Sequence, residues 1–183
     1  MSTAKVLGFV SVEEYLEGEK TSSVKHEYVH GRVFALAGAS DDHNRVAGNI
    51  FALLWGAANR QVCRIYISDM KVRIPDGRFY YPDVMAVCQE DANDYYKENP
   101  CLIVEVLSRS TSSTDRREKA EAYFTLPSLT TYLMVDSQTQ HVEGYVRTPE
   151  GWKARTWSEK EEVEFGCLET SLAFSDIYAG LSS

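Results

Sequence analysis

The chain is poor in cysteine, in proline and in long apolar runs. Its 183 residues include four cysteines and five prolines, and nowhere do about 18 apolar residues follow one another, as a membrane-spanning helix requires. Lys5 near the N-terminus precedes no apolar stretch of secretory-signal length, so a cytoplasmic location and no membrane partner are expected. Cys63, Cys88, Cys101 and Cys167 lack the close paired spacing of zinc sites. Three of them lie in or beside apolar stretches, and the set reads as buried free thiols rather than disulfide or zinc ligands. Positive charge is also short: 19 Lys and Arg against 27 Asp and Glu leave a formal net charge of −8. That excludes a protein that coats nucleic acid non-specifically, which needs an electropositive footprint. It leaves room for a local basic patch at an acidic metal site, where a bound cation changes the local sign.

What is present is an ordinary globular composition, 44% hydrophobic, without repeat, low-complexity tract or linker. A single domain over residues 1–183 with one core is expected. Ser11 followed by Glu14 reads as a capping box opening a short helix over 10–16. Residues 25–36 read as two strands turning at Gly31. Asp41-Asp42-His43 precedes a helix over 44–59, with Val46, Ile50, Phe51, Leu53, Leu54 and Ala57 as its apolar stripe. Pro75-Asp76-Gly77 joins strands 64–74 and 79–87 in a hairpin. Residues 101–107 form a nearly all-apolar, hence central, strand. A helix over 114–124, a core strand over 131–136, an antiparallel edge pair over 141–147 and 152–157, and a short terminal helix around Phe174, Ile177 and Tyr178 complete the pattern. The order predicts a mixed α/β (α+β) fold, with a mixed central sheet flanked by helices and an added antiparallel hairpin.

Two acids stand where strands disfavour them. Asp83 follows Pro82 within the second hairpin strand, and Glu105 interrupts Cys101-Leu102-Ile103-Val104-Glu105-Val106-Leu107. Alternation groups Asp83 with Met85 and Val87, and Glu105 with Ile103 and Leu107. Neighbouring strands in suitable register would bring the carboxylates together, and a divalent cation would offset their repulsion. Hard oxygen ligands favour Mg²⁺ or Mn²⁺. The alternative is structural: a buried Glu105 ion pair with Lys119 or an arginine, and an Asp83 that caps a turn. Beyond the central strand, Ser108-Arg109-Ser110-Thr111 is a polar turn where ligands gather in α/β sheets. Asp115, Lys119 and Tyr123 share one helix face, either as a solvated surface or as groups serving the acid site.

The motifs His26-Glu27-Tyr28-Val29-His30-Gly31, Tyr81-Pro82-Asp83-Val84, Val104-Glu105-Val106-Leu107-Ser108 and Asp115 through Tyr123 resemble the Uma2 family. That family lies in the PD-(D/E)xK restriction-endonuclease-like superfamily. Pro127-Ser128-Leu129 and Tyr132 to Asp136 continue the likeness, which spans about residues 8–180. The resemblance implies a restriction-endonuclease-like core. It makes Asp83 and Glu105 metal ligands, with the Val106 carbonyl as a third, and matches Glu27 to an early acid facing the same site. His43 corresponds to a histidine before the second helix, with substrate contact and a capping or packing role both open. Leu107 occupies the position where the superfamily motif asks for lysine, so the resemblance moves the basic role to Lys119. Arg109 replaces a common proline and, with Ser108, is a phosphate-binding candidate.

Asp69 is a secondary acid, either near a second metal position or paired with Lys71 or another base. The reading that follows is a Mg²⁺- or Mn²⁺-dependent endonuclease-like phosphodiesterase acting on nucleic acid, DNA above all, with Asp83, Glu105, Lys119 and Glu27 as catalytic residues. The alternatives are an inactive nucleic-acid-binding or regulatory module of the same fold and a structural or protein-interaction domain. The edge with Tyr145, Trp152 and Trp157 offers area for a homodimer, or else covers the domain's own core.

Overall fold

A computed structural model describes residues 9–58, 62–107 and 115–181. The first helix, α1 (Val12–Glu19), opens as its sequence dictates. The Ser11 hydroxyl accepts from the Glu14 amide at 3.2 Å, and the Glu14 carboxylate accepts from the Ser11 amide at 2.8 Å. Strands β1 (His26–Val29) and β2 (Arg32–Ala35) turn through His30 and Gly31, both at positive φ (47° and 85°). This is the backbone a tight, right-twisted hairpin needs.

Helix α2 (Asp41–Ala58) starts three residues before its apolar stripe predicts, because the Ser40 hydroxyl accepts from the His43 amide (3.3 Å). His43 therefore sits in the first turn rather than ahead of the helix. Val46, Ile50 and Leu54 are its buried face.

The predicted hairpin is divided between two sheets. Its strands break into β3 (Arg64–Ile67) and β4 (Lys71–Arg73) on one side, and β5 (Phe79–Tyr80) and β6 (Val84–Val87) on the other. The inner halves join a five-stranded sheet, β2-β1-β5-β4-β7, in which β7 is Tyr96–Lys97. The outer halves join a six-stranded sheet of order β11-β10-β9-β8-β6-β3, built with β8 (Leu102–Leu107), β9 (Thr131–Asp136), β10 (His141–Thr148) and β11 (Gly151–Trp157). All six residues of β8 are buried, and β8 runs parallel to β9 while antiparallel to β6. Asp83 is therefore not within a strand, as its apolar neighbours led us to expect. It lies in the break where the chain crosses between sheets.

One face of the larger sheet, with Val84, Val104, Val106, Leu133 and Val135, packs on α2. The hairpin β12 (Glu162–Phe165) and β13 (Thr170–Ala173) and the terminal helix complete that layer; the pattern had predicted only the helix. The other face, with Met85, Ile103, Leu107, Tyr132 and Met134, packs on the segment after β8. That segment is a π-turn (Asp115–Lys119) running into α3 (Ala120–Tyr123), where a regular helix was expected. The last helix, α4 (Phe174–Ile177), docks as predicted.

Two further expectations are corrected or resolved. The cysteines are not free thiols: Cys63 is bonded to Cys88, and Cys101 to Cys167. Strand pairing explains the first bond, since Arg64 registers with Val87 and so sets their outer neighbours face to face. The edge aromatics serve the domain's own core. Trp157 is buried, and Tyr145 and Trp152 pack on Phe124 with ring centroids 4.9 and 4.7 Å away.

Candidate functional site

Glu105 points from β8 to the face occupied by α3, into surroundings that leave it 3% exposed. A buried carboxylate demands donors, and α3 and its π-turn supply two. The Tyr123 hydroxyl donates to Glu105 Oε1 at 2.7 Å, and Lys119 Nζ donates to the same oxygen at 3.2 Å. The shared face predicted for Lys119 and Tyr123 is thus real, and both reach the second acid. Burial, then the charge of Glu105, pushes the Tyr123 phenol well above its ordinary pKa, so it remains a donor.

Lys119 also lies 2.9 Å from Glu27 Oε1. Glu27 comes from β1 in the smaller sheet, so one ammonium spans acids of both sheets. Its distance of 5.6 Å from the Tyr80 ring centroid adds a cation–π contact.

The crossing Tyr81-Pro82-Asp83 completes the arrangement. The Tyr81 amide donates to Glu27 Oε1 (3.3 Å), and Asp83 Oδ2 accepts from the Val106 amide (2.7 Å), directly beside Glu105. The other oxygen, Asp83 Oδ1, lies 2.9 Å from His43 Nε2. Asp83, Glu105, Glu27, Lys119, Tyr123 and His43 are therefore linked through side chains and one backbone amide, at the seam between the sheets.

Other sequence candidates fall elsewhere. Asp69 is exposed in the break between β3 and β4 and pairs with Lys25 at 2.8 Å, while the amide of the preceding Ser68 donates to the Asp83 carbonyl (3.0 Å). Ser108 and Arg109 lie outside the described residues, as does the side chain of Asp115.

A neighbouring network was missed by the sequence reading. Lys71, 7% exposed, donates to the Tyr81 hydroxyl (3.1 Å), which donates to Glu19 Oε2 (2.9 Å); Glu19 Oε1 lies 2.7 Å from His26 Nδ1. Burial depresses the Lys71 ammonium pKa despite the nearby Glu19 charge. The available signal was Tyr81 beside the Pro82-Asp83 pair; nothing local marked Glu19 as its partner.

The donors at the seam suit a hard cation. Asp83 and Glu105 offer carboxylate oxygens and Val106 a carbonyl, and Mg²⁺ characteristically takes one or two protein carboxylates and keeps waters for its remaining positions. Among the described residues, the group of three ligating atoms lying within 4.8 Å of one another is formed by cysteines, not by these acids. A cleft of about 540 Å³ beside His141, Trp157 and Phe174 shares none of these residues.

Comparison with known proteins agrees with this architecture. The profile of the Uma2 family, described as "Putative restriction endonuclease", matches residues 12–175. Two Synechocystis sp. proteins, sll1609 and slr1290, are 33% and 32% identical to the chain. The first alignment covers 92% of this chain and 98% of its relative, the second 94% and 93%. A crystal structure from Anabaena variabilis, described as a putative nuclease belonging to DUF820, has the same fold. It superposes with a TM-score of 0.76 at 13% identity, over 93% of this chain and 98% of that one.

Proposed function

Since the chain belongs to the Uma2 family, in the PD-(D/E)xK nuclease-like superfamily, we propose that it is a Mg²⁺- or Mn²⁺-dependent nuclease that hydrolyses phosphodiester bonds in DNA. The observation that supports this reading is that Asp83 accepts from the amide of Val106, the residue next to Glu105, whose own carboxylate accepts from the buried Lys119. Asp83, Glu105 and the Val106 carbonyl would hold the cation. When bound, the cation supplies a Lewis acid for the phosphate and lowers the pKa of an attacking water.

The remaining work falls to the chain's own groups. Tyr123 fixes the Glu105 carboxylate by donating to Oε1. The Val106 amide and His43 hold the two oxygens of Asp83. Lys119, held between Glu27 and Glu105, would orient the attacking water or offset the charge developing at the phosphate. Glu27 sets the position of that ammonium.

The test is cleavage of supercoiled and linear DNA with Mg²⁺ or Mn²⁺, and with chelator. Wild type is expected to cut only with metal, and Asp83→Asn or Glu105→Gln to lower the rate by more than about a hundredfold. Metal-independent cutting, or equal rates in the variants, would overturn the reading.

A second reading is a module of the same fold that binds nucleic acid without cutting it. It draws on Leu107 standing in the superfamily's lysine position and on Lys119 being paired with both acids. DNA retention by a wild-type protein that never cleaves, under any divalent metal, would favour it.

A further inference from the structure

At the ends of β6 and β8 opposite Asp83 and Val106, four segments deliver one cysteine each. Cys63 stands just before β3 and Cys88 just after β6. Cys101 immediately precedes β8, its amide donating to the Ala86 carbonyl at 2.8 Å, and Cys167 comes from the 3-10 turn Gly166–Leu168. The sulfurs close in pairs, Cys63 with Cys88 and Cys101 with Cys167, but the pairs also meet. Cys88 Sγ lies 3.4 Å from Cys101 Sγ, and the sulfurs of Cys88, Cys101 and Cys167 all lie within 4.8 Å of one another. Cys101 is buried; the other three are half-buried against the core beneath α2.

The pairing of β3 with β6 and of β6 with β8 brings both crosslinks to one spot. We propose that in the reduced chain these four cysteines form a tetrathiolate site for one zinc ion. Zinc–sulfur bonds of about 2.3 Å in a tetrahedron set neighbouring sulfurs about 3.8 Å apart. The contact between the pairs is already near that spacing, and opening each disulfide frees its two sulfurs to separate. An all-sulfur donor set selects zinc over the hard cations suited to the carboxylates. A dithiol reductant gives two electrons to each S–S bond and leaves four thiols. Zinc then binds four thiolates and four protons pass to solvent. In a reducing compartment the thiol form is the populated one. The ion would tie β3, β6, β8 and the β12–β13 connection together at a distance from the acids.

The experiment uses the full chain, reduced with a phosphine without oxygen, freed of reductant and kept in excess Mg²⁺. Titration with Co²⁺ is expected to produce the thiolate charge-transfer band and tetrahedral visible spectrum at one equivalent, with one equivalent of Zn²⁺ abolishing both. Zinc should protect all four thiols from alkylation, counted by mass spectrometry. Cys167→Ser should weaken cobalt binding by about a hundredfold or more, while Asp83→Asn leaves the spectrum unchanged. Alkylation of the folded wild type at one rate with and without zinc would overturn the proposal and leave two disulfides as the whole role of these residues. A reduced chain that zinc fails to keep folded would overturn it as well.

Discussion

Replacing Lys119 by Met keeps the aliphatic stem and removes the ammonium held 2.9 Å from Glu27 and 3.2 Å from Glu105. The side chains of Lys119, Glu27 and Glu105 are only 8%, 11% and 4% exposed, so water cannot replace the lost charge. Removing one partner of a buried ion pair typically destabilises by about 3–5 kcal/mol, and here two carboxylates lose their shared cation. With Tyr123 still donating to Glu105, we expect a loss of about 4 kcal/mol. For a domain of this size that is a fall in Tm of roughly 8–16 °C. The same reasoning predicts a partial rescue. A divalent cation held at the acids restores positive charge, and at a hundred times its Kd it returns about 2.7 kcal/mol. Thermal unfolding of wild type and Lys119→Met, with and without Mg²⁺ or Mn²⁺, reads both effects. A loss below about 1 kcal/mol, the range of exposed pairs, would refute the buried three-group linkage. An identical metal response in the two proteins would refute the link between that linkage and the metal.

Tyr123→Phe removes one of the Glu105 donors and is expected to destabilise by about 1–3 kcal/mol. Urea denaturation checks this, and an unchanged midpoint would count against it. Gly144→Ala is expected to destabilise by about 1–3 kcal/mol, because an added Cβ would collide with the Tyr132 carbonyl on the adjacent strand; wild-type stability would show that the sheet yields there. Burial raises the phenol pKa values of Tyr15, Tyr80, Tyr81, Tyr123 and Tyr178 above the ordinary 10.0. These groups hold their protons more tightly when folded, so their stabilisation is full below pH 10.0 and declines as pH rises beyond it. Tyrosinate absorbance should therefore show them ionising together with unfolding. Ionisation of all tyrosines in a still-folded chain would contradict this.

Local chemistry was the most legible part of the sequence. The Ser11–Glu14 capping box, the Gly31 turn and the strand over 131–136 follow from rules acting over a few residues, and the structure has all three. Glu105 was legible because a charge in an all-apolar strand has few explanations. The division of the 64–87 hairpin between sheets was not. Alternation carries no signal of a chain leaving one sheet for another, and the breaks at 68–70 and 81–83 are defined by partners distant in sequence. Asp83 was consequently placed in a strand although it sits at the crossing. The cysteines failed for the same reason, since their proximity arises from sheet pairing rather than from spacing. Lys71 and Glu19 are brought together through Tyr81, whose hydroxyl neither residue's neighbours announce.

Lys119 joins Glu27 on one sheet to Glu105 on the other, which makes the residue assigned to chemistry also a rivet between the two halves of the molecule. Selection for a folded chain alone then preserves this ion-paired triad. On the nuclease reading, a lineage that lost turnover would keep Glu27, Glu105 and Lys119 long afterwards. Asp83, whose carboxylate is held by one amide and one imidazole, contributes less to the joint and is the position where lost activity would first be written into the sequence.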